Sequence, residues 1–115
     1  MIQYNKNKLT NFAYVNKLLE GKYIISDEVA SDEGYEMAYI TKINKVDTFT
    51  GEEYIGVNFD FFWVSKYPSG SKSININSTY MHLQDFLKDY SFITKDEFMR
   101  SFNEVMEEIK KGIEK

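Results

Sequence analysis

Ile55-Gly56-Val57-Asn58-Phe59-Asp60-Phe61-Phe62-Trp63-Val64 is the stretch that decides the fold of this chain. Ile55, Val57, Phe59, Phe61 and Trp63 fall at every second position, which lines them up on one face of a strand. The strand so defined runs from Glu52 to Ser65. Tyr54, Asn58 and Asp60 point the other way. Its last part, Phe61-Phe62-Trp63-Val64, is apolar on both faces, unlike an antiparallel strand with one wet side. Either helices cover both sides of the sheet there, or one side meets a partner.

The segments that flank this strand read as more sheet. Tyr67-Pro68-Ser69-Gly70-Ser71 is a turn. It leads to a fourth strand, Lys72 to Asn77, with Ile74 and Ile76 expected inward and Ser73, Asn75 and Asn77 outward. Upstream, Lys22 to Val29 and Tyr35 to Val46 read as two strands joined by Ser31-Asp32-Glu33-Gly34. Thr48-Phe49-Thr50-Gly51 closes the next hairpin. The phase of the second strand slips: Tyr35, Met37 and Tyr39 are odd, whereas Ala38, Ile40 and Val46 are even. A bulge or strong bend near Ile40 accounts for the slip.

The ends of the chain change period. Phe12, Val15, Leu18 and Leu19 share one face of a helix over residues 10–20, with Thr10 or Asn11 as its cap and Gly21 at its end. Leu83, Phe86, Leu87 and Tyr90 follow at i, i+3, i+4 and i+7, the spacing of a further short helix. Thr94 and Glu97 then form a capping box, with Ile93 and Phe98 at the staple positions around it. That last helix is expected to reach Lys111 and stop at Gly112. Phe98, Phe102, Val105, Met106 and Ile109 form its apolar stripe, and Phe102→Asp is expected to unfold the domain. The expected architecture is a single α+β domain over residues 1–115: a four-stranded antiparallel meander with a short N-terminal helix and two C-terminal helices. A curled, barrel-like sheet is the alternative, since the slip in strand two would serve as a barrel corner.

Bulk composition narrows the chemistry. The chain has 115 residues, the size of one domain. It has no cysteine, so disulfides and thiolate metal sites are excluded. The net charge of −4 is concentrated in the central third, and no stretch is a basic patch. Arg100 is the only arginine, which disfavours direct reading of nucleic acid. No apolar run has the length of a membrane span. Nor does an apolar segment of the signal-peptide kind follow Met1 to Lys8, so a cytoplasm-like location is expected. Abundant lysine, asparagine and isoleucine suggest an AT-rich genome of the kind found in low-GC bacteria and their phages.

Candidate sites are few. His82 is the only histidine and reads as an ordinary helix-start residue. The acidic segment Asp27 to Glu36 lacks the ligand offsets of a calcium loop and reads as a hairpin tip. Ser69-Gly70-Ser71-Lys72-Ser73 echoes the end of a phosphate loop, but a strand follows it rather than a helix. No catalytic residue, metal site or cofactor is expected. Aromatic residues make up 17% of the chain, and tyrosine and tryptophan are favoured interface anchors. The functional expectation is therefore a non-enzymatic protein-binding module, contacting a protein partner or a second copy through Tyr54, Asn58, Asp60 and Phe62. A small phage or mobile-element accessory or inhibitor protein acting on a host protein fits this size and composition. Two other readings are a small-ligand binder for a nucleotide or metabolite, and a structural subunit of a larger assembly.

Overall fold

Among the described residues five antiparallel strands build the sheet, one more than the alternation in the sequence predicts. The computed structural model describes residues 1–27, 34–48, 55–67 and 69–114. In chain order the elements are α1 (Phe12–Leu19), β1 (Tyr23–Ser26), β2 (Tyr35–Thr48), β3 (Ile55–Lys66), β4 (Lys72–His82), α2 (Leu83–Asp89), β5 (Tyr90–Ile93) and α3 (Lys95–Ile113). A single 3-10 turn over Lys6–Lys8 precedes α1. The strands lie in the order β4-β3-β2-β1-β5. The meander of β1 to β4 is as expected. The added strand, β5, pairs with β1 on the far edge, Tyr23 opposite Ile93 and Ser26 opposite Tyr90.

The extra strand has a local cause. Helix α2 ends at Asp89, and Tyr90 leaves it with extended backbone angles. Tyr90 keeps the helical spacing of Leu83, Phe86 and Leu87, which hides the change of structure in the sequence. Tyr90-Ser91-Phe92-Ile93 alternates at period two, and the open edge of β1 supplies the hydrogen bonds. The barrel-like alternative finds no support, since β4 and β5 are the two ends of the strand order and do not pair among the described residues.

Strand β4 also runs past the expected Asn77, as far as His82. The polar run Asn77-Ser78-Thr79 interrupts the apolar alternation, but backbone pairing with β3 carries the strand on, from Lys66 opposite Lys72 to Gly56 opposite His82. Two register shifts in β2, between Ile40 and Lys42 and between Ile43 and Lys45, account for the phase slip. Each is an inserted residue that lets Ile40 and Ile43 both reach the core. The Glu20 carboxylate at the end of α1 accepts from the Ile43 backbone N–H at 2.9 Å, so the bulged strand is tied to the helix. That bond holds the Glu20 carboxyl below its usual range, with a smaller contribution from Asn16.

Helices pack on both faces of the sheet. Val15 and Leu19 of α1 and Leu83, Phe86 and Leu87 of α2 meet Ile24, Ile40, Val57, Phe59 and Phe61 on one face. The Phe86 ring lies 4.7 Å from Phe59 and 4.8 Å from Tyr90. Each such fully buried side chain contributes about 1.5–3 kcal/mol before entropy is counted. On the other face, Phe98 and Val105 of α3 close over Met37 and Val64, with Tyr23, Tyr39, Phe62 and Phe102 around them. The doubly apolar end of β3 is thus explained from within the chain: Phe61 faces α2, Trp63 on the same side packs on the Phe61 and Tyr90 rings, and Phe62 and Val64 face α3.

The helix signals read from sequence hold, with one correction, and a strand position needs another. The capping box is complete: Thr94 Oγ1 accepts from the Glu97 N–H at 3.1 Å and the Glu97 carboxylate accepts from the Thr94 N–H at 3.4 Å. Such a cap contributes roughly 1 kcal/mol. Gly21 has the positive φ of 78° that suits a glycine after a helix. Gly112, however, lies inside α3, which runs on to Ile113. The expected inward position of Ile76 is also wrong: it is 73% exposed. It shares a face with Ile74 and Phe62, but α3 does not extend over it.

Candidate functional site

Along the α3 face, β3 presents Val64, Phe62, Asp60, Asn58 and Gly56 in turn. The helix covers the first of these and reaches the second. Among the described residues no helix covers the remainder of the face, and there Asn58 and Asp60 lie. Asn58, Asp60 and Phe62 share this face, and the structure brings the first two into one cluster. Tyr54 lies outside the described residues.

The cluster is assembled across three strands. Asp60 stands opposite Ser78 of β4 and Lys42 of β2. Its Oδ1 accepts from the Ser78 hydroxyl at 2.5 Å and from Asn44 Nδ2 at 2.8 Å. Asn44 Nδ2 also donates to Asn58 Oδ1 at 2.8 Å. Thr41, displaced by the first bulge of β2, donates its hydroxyl to the Asp60 backbone carbonyl at 2.9 Å. The Ser78 and Asn44 hydrogen bonds, with a weaker pull from Lys42, hold the Asp60 carboxyl below its usual value, against a small opposing effect of burial. A carboxylate kept ionised in this way is a fixed acceptor rather than a proton donor at neutral pH.

Apolar groups border the cluster on both sides. Toward α3, the Phe62 ring meets Phe102 edge-on, with centroids 5.5 Å apart. Beyond it an apolar groove of about 240 Å³ runs between helix and sheet, lined by Tyr23, Tyr39, Phe62, Phe98, Met99 and Phe102. Ile76, opposite Phe62 on β4, stands out from the surface. Toward the far end, the hydroxyl end of Tyr80 lies over Gly56, where a Cβ would collide with the hydroxyl oxygen. Gly56 thus leaves room for the tip of an aromatic side chain on the neighbouring strand.

Asn44, Ser78 and Ile76 complete this surface and were not singled out from sequence. Asn44 comes from the second bulge of β2, and Ser78 lies beyond the expected end of strand four. Both become neighbours of Asp60 only once the registers are known. Ile76 carried a signal, but it pointed the wrong way, because strand alternation assigns a face without saying how far a helix extends over it.

The other candidates resolve locally. His82 is the N-cap of α2, and its Nδ1 accepts from the Asp85 N–H at 3.2 Å. Asp27 accepts from the Ser91 hydroxyl at 2.7 Å and from the amino group of Met1 at 2.6 Å. Most of the acidic segment after it lies outside the described residues. The segment after Gly70 is β4, so a strand follows the faint phosphate-loop echo. Among the described residues, no three metal-ligating side chains lie together, and no helix is long and apolar enough to cross a membrane. Comparison with known proteins finds no matching family model, no matching curated protein and no matching solved structure.

Proposed function

We propose that this chain is a non-enzymatic protein-binding module whose contact surface is the bare half of the α3 face, centred on Asn58, Asp60, Phe62 and Ile76. The observation that carries the reading is Ile76: a large aliphatic side chain, 73% exposed, on an edge strand and directly between an aromatic border and a pre-formed hydrogen-bonding cluster. Exposed apolar groups rimmed by ordered polar ones are the usual make-up of a docking surface. Strand β4, 11 residues long, stands at one end of the strand order among the described residues, with no proline or glycine in it to blunt pairing with another strand. The ionised Asp60 favours a partner that brings a cation or amide donors to this face. An accessory or inhibitor role directed at a host protein is the setting that the size and composition suit.

Capture experiments with the immobilised chain test the proposal. Ile76→Lys lies on the surface and should leave the unfolding midpoint close to wild type, Asp60→Lys should lower it slightly without unfolding the chain, and each should reduce retention of the captured protein at least tenfold. Equal retention by wild type and both folded variants would remove this face from consideration. Retention of nothing, together with a monomer at all concentrations in sedimentation, would remove the protein-binding role itself.

A further inference from the structure

The opposite face of the sheet also has a bare half, at the other end. Helix α2 covers Phe59 and Phe61 and stops there. The next cross-strand rows are Asn75 and Trp63, then Ser73, Ser65 and Glu36. With Tyr90 of β5 on one side, these rows form a trough of about 320 Å³. We propose that this trough is a binding site for a neutral saccharide, stacked on the side of Trp63 and hydrogen-bonded by Glu36, Ser65, Asn75 and Asn77. This inference goes beyond the protein-binding reading and does not depend on it.

Three features of the trough carry the inference. Ser65 is 5% exposed and is the only buried polar residue among the described residues. It lines the trough, although an apolar residue would suit a buried strand position better. Asn77 is oriented for a ligand. Its Oδ1 already accepts from Trp63 Nε1 at 3.0 Å and from the Thr79 hydroxyl at 3.2 Å, which leaves the two N–H groups of the amide to donate outward. The Trp63 ring is itself held, 4.7 Å from Phe61 and 6.2 Å from Tyr90. An aromatic surface fixed in this way costs little to order when a ligand arrives.

Charge selects the ligand class. Glu36 is the only ionisable acid of the trough, and no lysine, arginine or histidine lines it. Lys66 and Lys72 of the neighbouring row lie on the opposite face, where Lys72 pairs with Glu108 at 3.4 Å. A phosphate or carboxylate ligand would meet a carboxylate and no cation. Sugar hydroxyls both donate and accept, so they suit a mixed set of one carboxylate, two amides and serine hydroxyls, while the C–H face of the ring suits an aromatic side chain. A trough this open and small should hold a mono- or disaccharide with affinity on the order of millimolar.

Trp63 is the only tryptophan, so its emission reports on the trough directly. The full chain is titrated with glucose, galactose, mannose and N-acetylglucosamine and with their disaccharides, and with glucose 6-phosphate and uridine as the other arms. The expected result is a saturable change of emission with at least one neutral sugar. Glu36→Gln should weaken it about tenfold and Asn75→Ala several-fold. Ser65→Val should remove it while keeping the unfolding midpoint at or above wild type. No saturable change with any neutral sugar would overturn the proposal. So would a tighter response to glucose 6-phosphate or uridine, or one that survives both Glu36→Gln and Asn75→Ala. Because Ile76 lies on the other face, Ile76→Lys should leave the sugar response intact, which separates failure of this site from failure of the protein-binding surface.

Discussion

Asp60 shows what one residue gains from its neighbours. Alone in the sequence it is an outward-facing acid in an apolar strand. In the fold it holds Ser78 and Asn44 from the two adjacent strands. These bonds favour its ionised form, so its carboxyl titrates lower in the folded chain than in the unfolded one, where it titrates near 3.8. The sign follows from linkage: Asp60 stabilises the fold above that value, and its contribution is lost as pH falls through the lower, folded value. Asp60→Asn should therefore lower the unfolding midpoint near neutral pH. The gap to wild type should close in strongly acidic solution, where the protonated acid resembles the amide. Denaturant melts across this range check the point, and a gap unchanged by pH would show that the cluster does not act through the charge. The site is exposed, so the effect is small. The outward direction of Asp60 was legible from alternation alone. Its partners were not, because bulges and registers decide which residues of distant strands become neighbours.

At the scale of the element, α3 separates an amphipathic pattern from the use made of it. Its start was readable residue by residue, from Thr94 and Glu97 to the staple at Ile93 and Phe98. Its stripe was readable too, from Phe98 through Ile109. The stripe is buried unevenly, however. Phe98 is 4% exposed and Val105 is fully covered, whereas Ile109 is 36% and Ile113 77% exposed. The helix passes from Tyr23 in β1, past Phe62 in β3, to the Lys72–Glu108 pair at the β4 edge, and there the sheet ends. Phe98→Ala should cost about 3 kcal/mol, and Ile109→Ala less than about 0.5 kcal/mol. The half-buried Phe102 lies between them, so Phe102→Asp should cost less than Phe98→Asp. Urea midpoints of the four variants give the order, and equal costs for Phe98 and Ile109 would mean that the helix docks along its full length.

For the whole molecule, the decisive feature is diagonal cover. Helices α1 and α2 cover the Ile43–Val57 end of one face, and α3 covers the Met37–Val64 end of the other. Each face keeps a bare half, one holding the Asp60 cluster and the other the Trp63 trough. The long β2–β3 hairpin and the offset layers make the molecule 55 Å long and about 25 Å across. Amide exchange should follow the cover, being slowest at Ile24, Ala38 and Val64, where helices or strands enclose the sheet, and fastest along β4, which stands at one end of the strand order. Uniform protection across β2, β3 and β4 would contradict it. The sequence by itself determined the α+β class, the order of the first four strands, the bulge in β2 and the capping of α3. Each of these depends on contacts or periodicities within a few residues, and local pattern records them. Only the tertiary structure decided the fifth strand, the length of β4, and which apolar faces are covered and which polar residues meet. Those depend on where one element ends over another, which no short stretch of chain encodes. Strand β3 shows both limits. Its alternation was plain, but the double apolarity at Phe62 and Val64 became interpretable only when α3 was found lying across them.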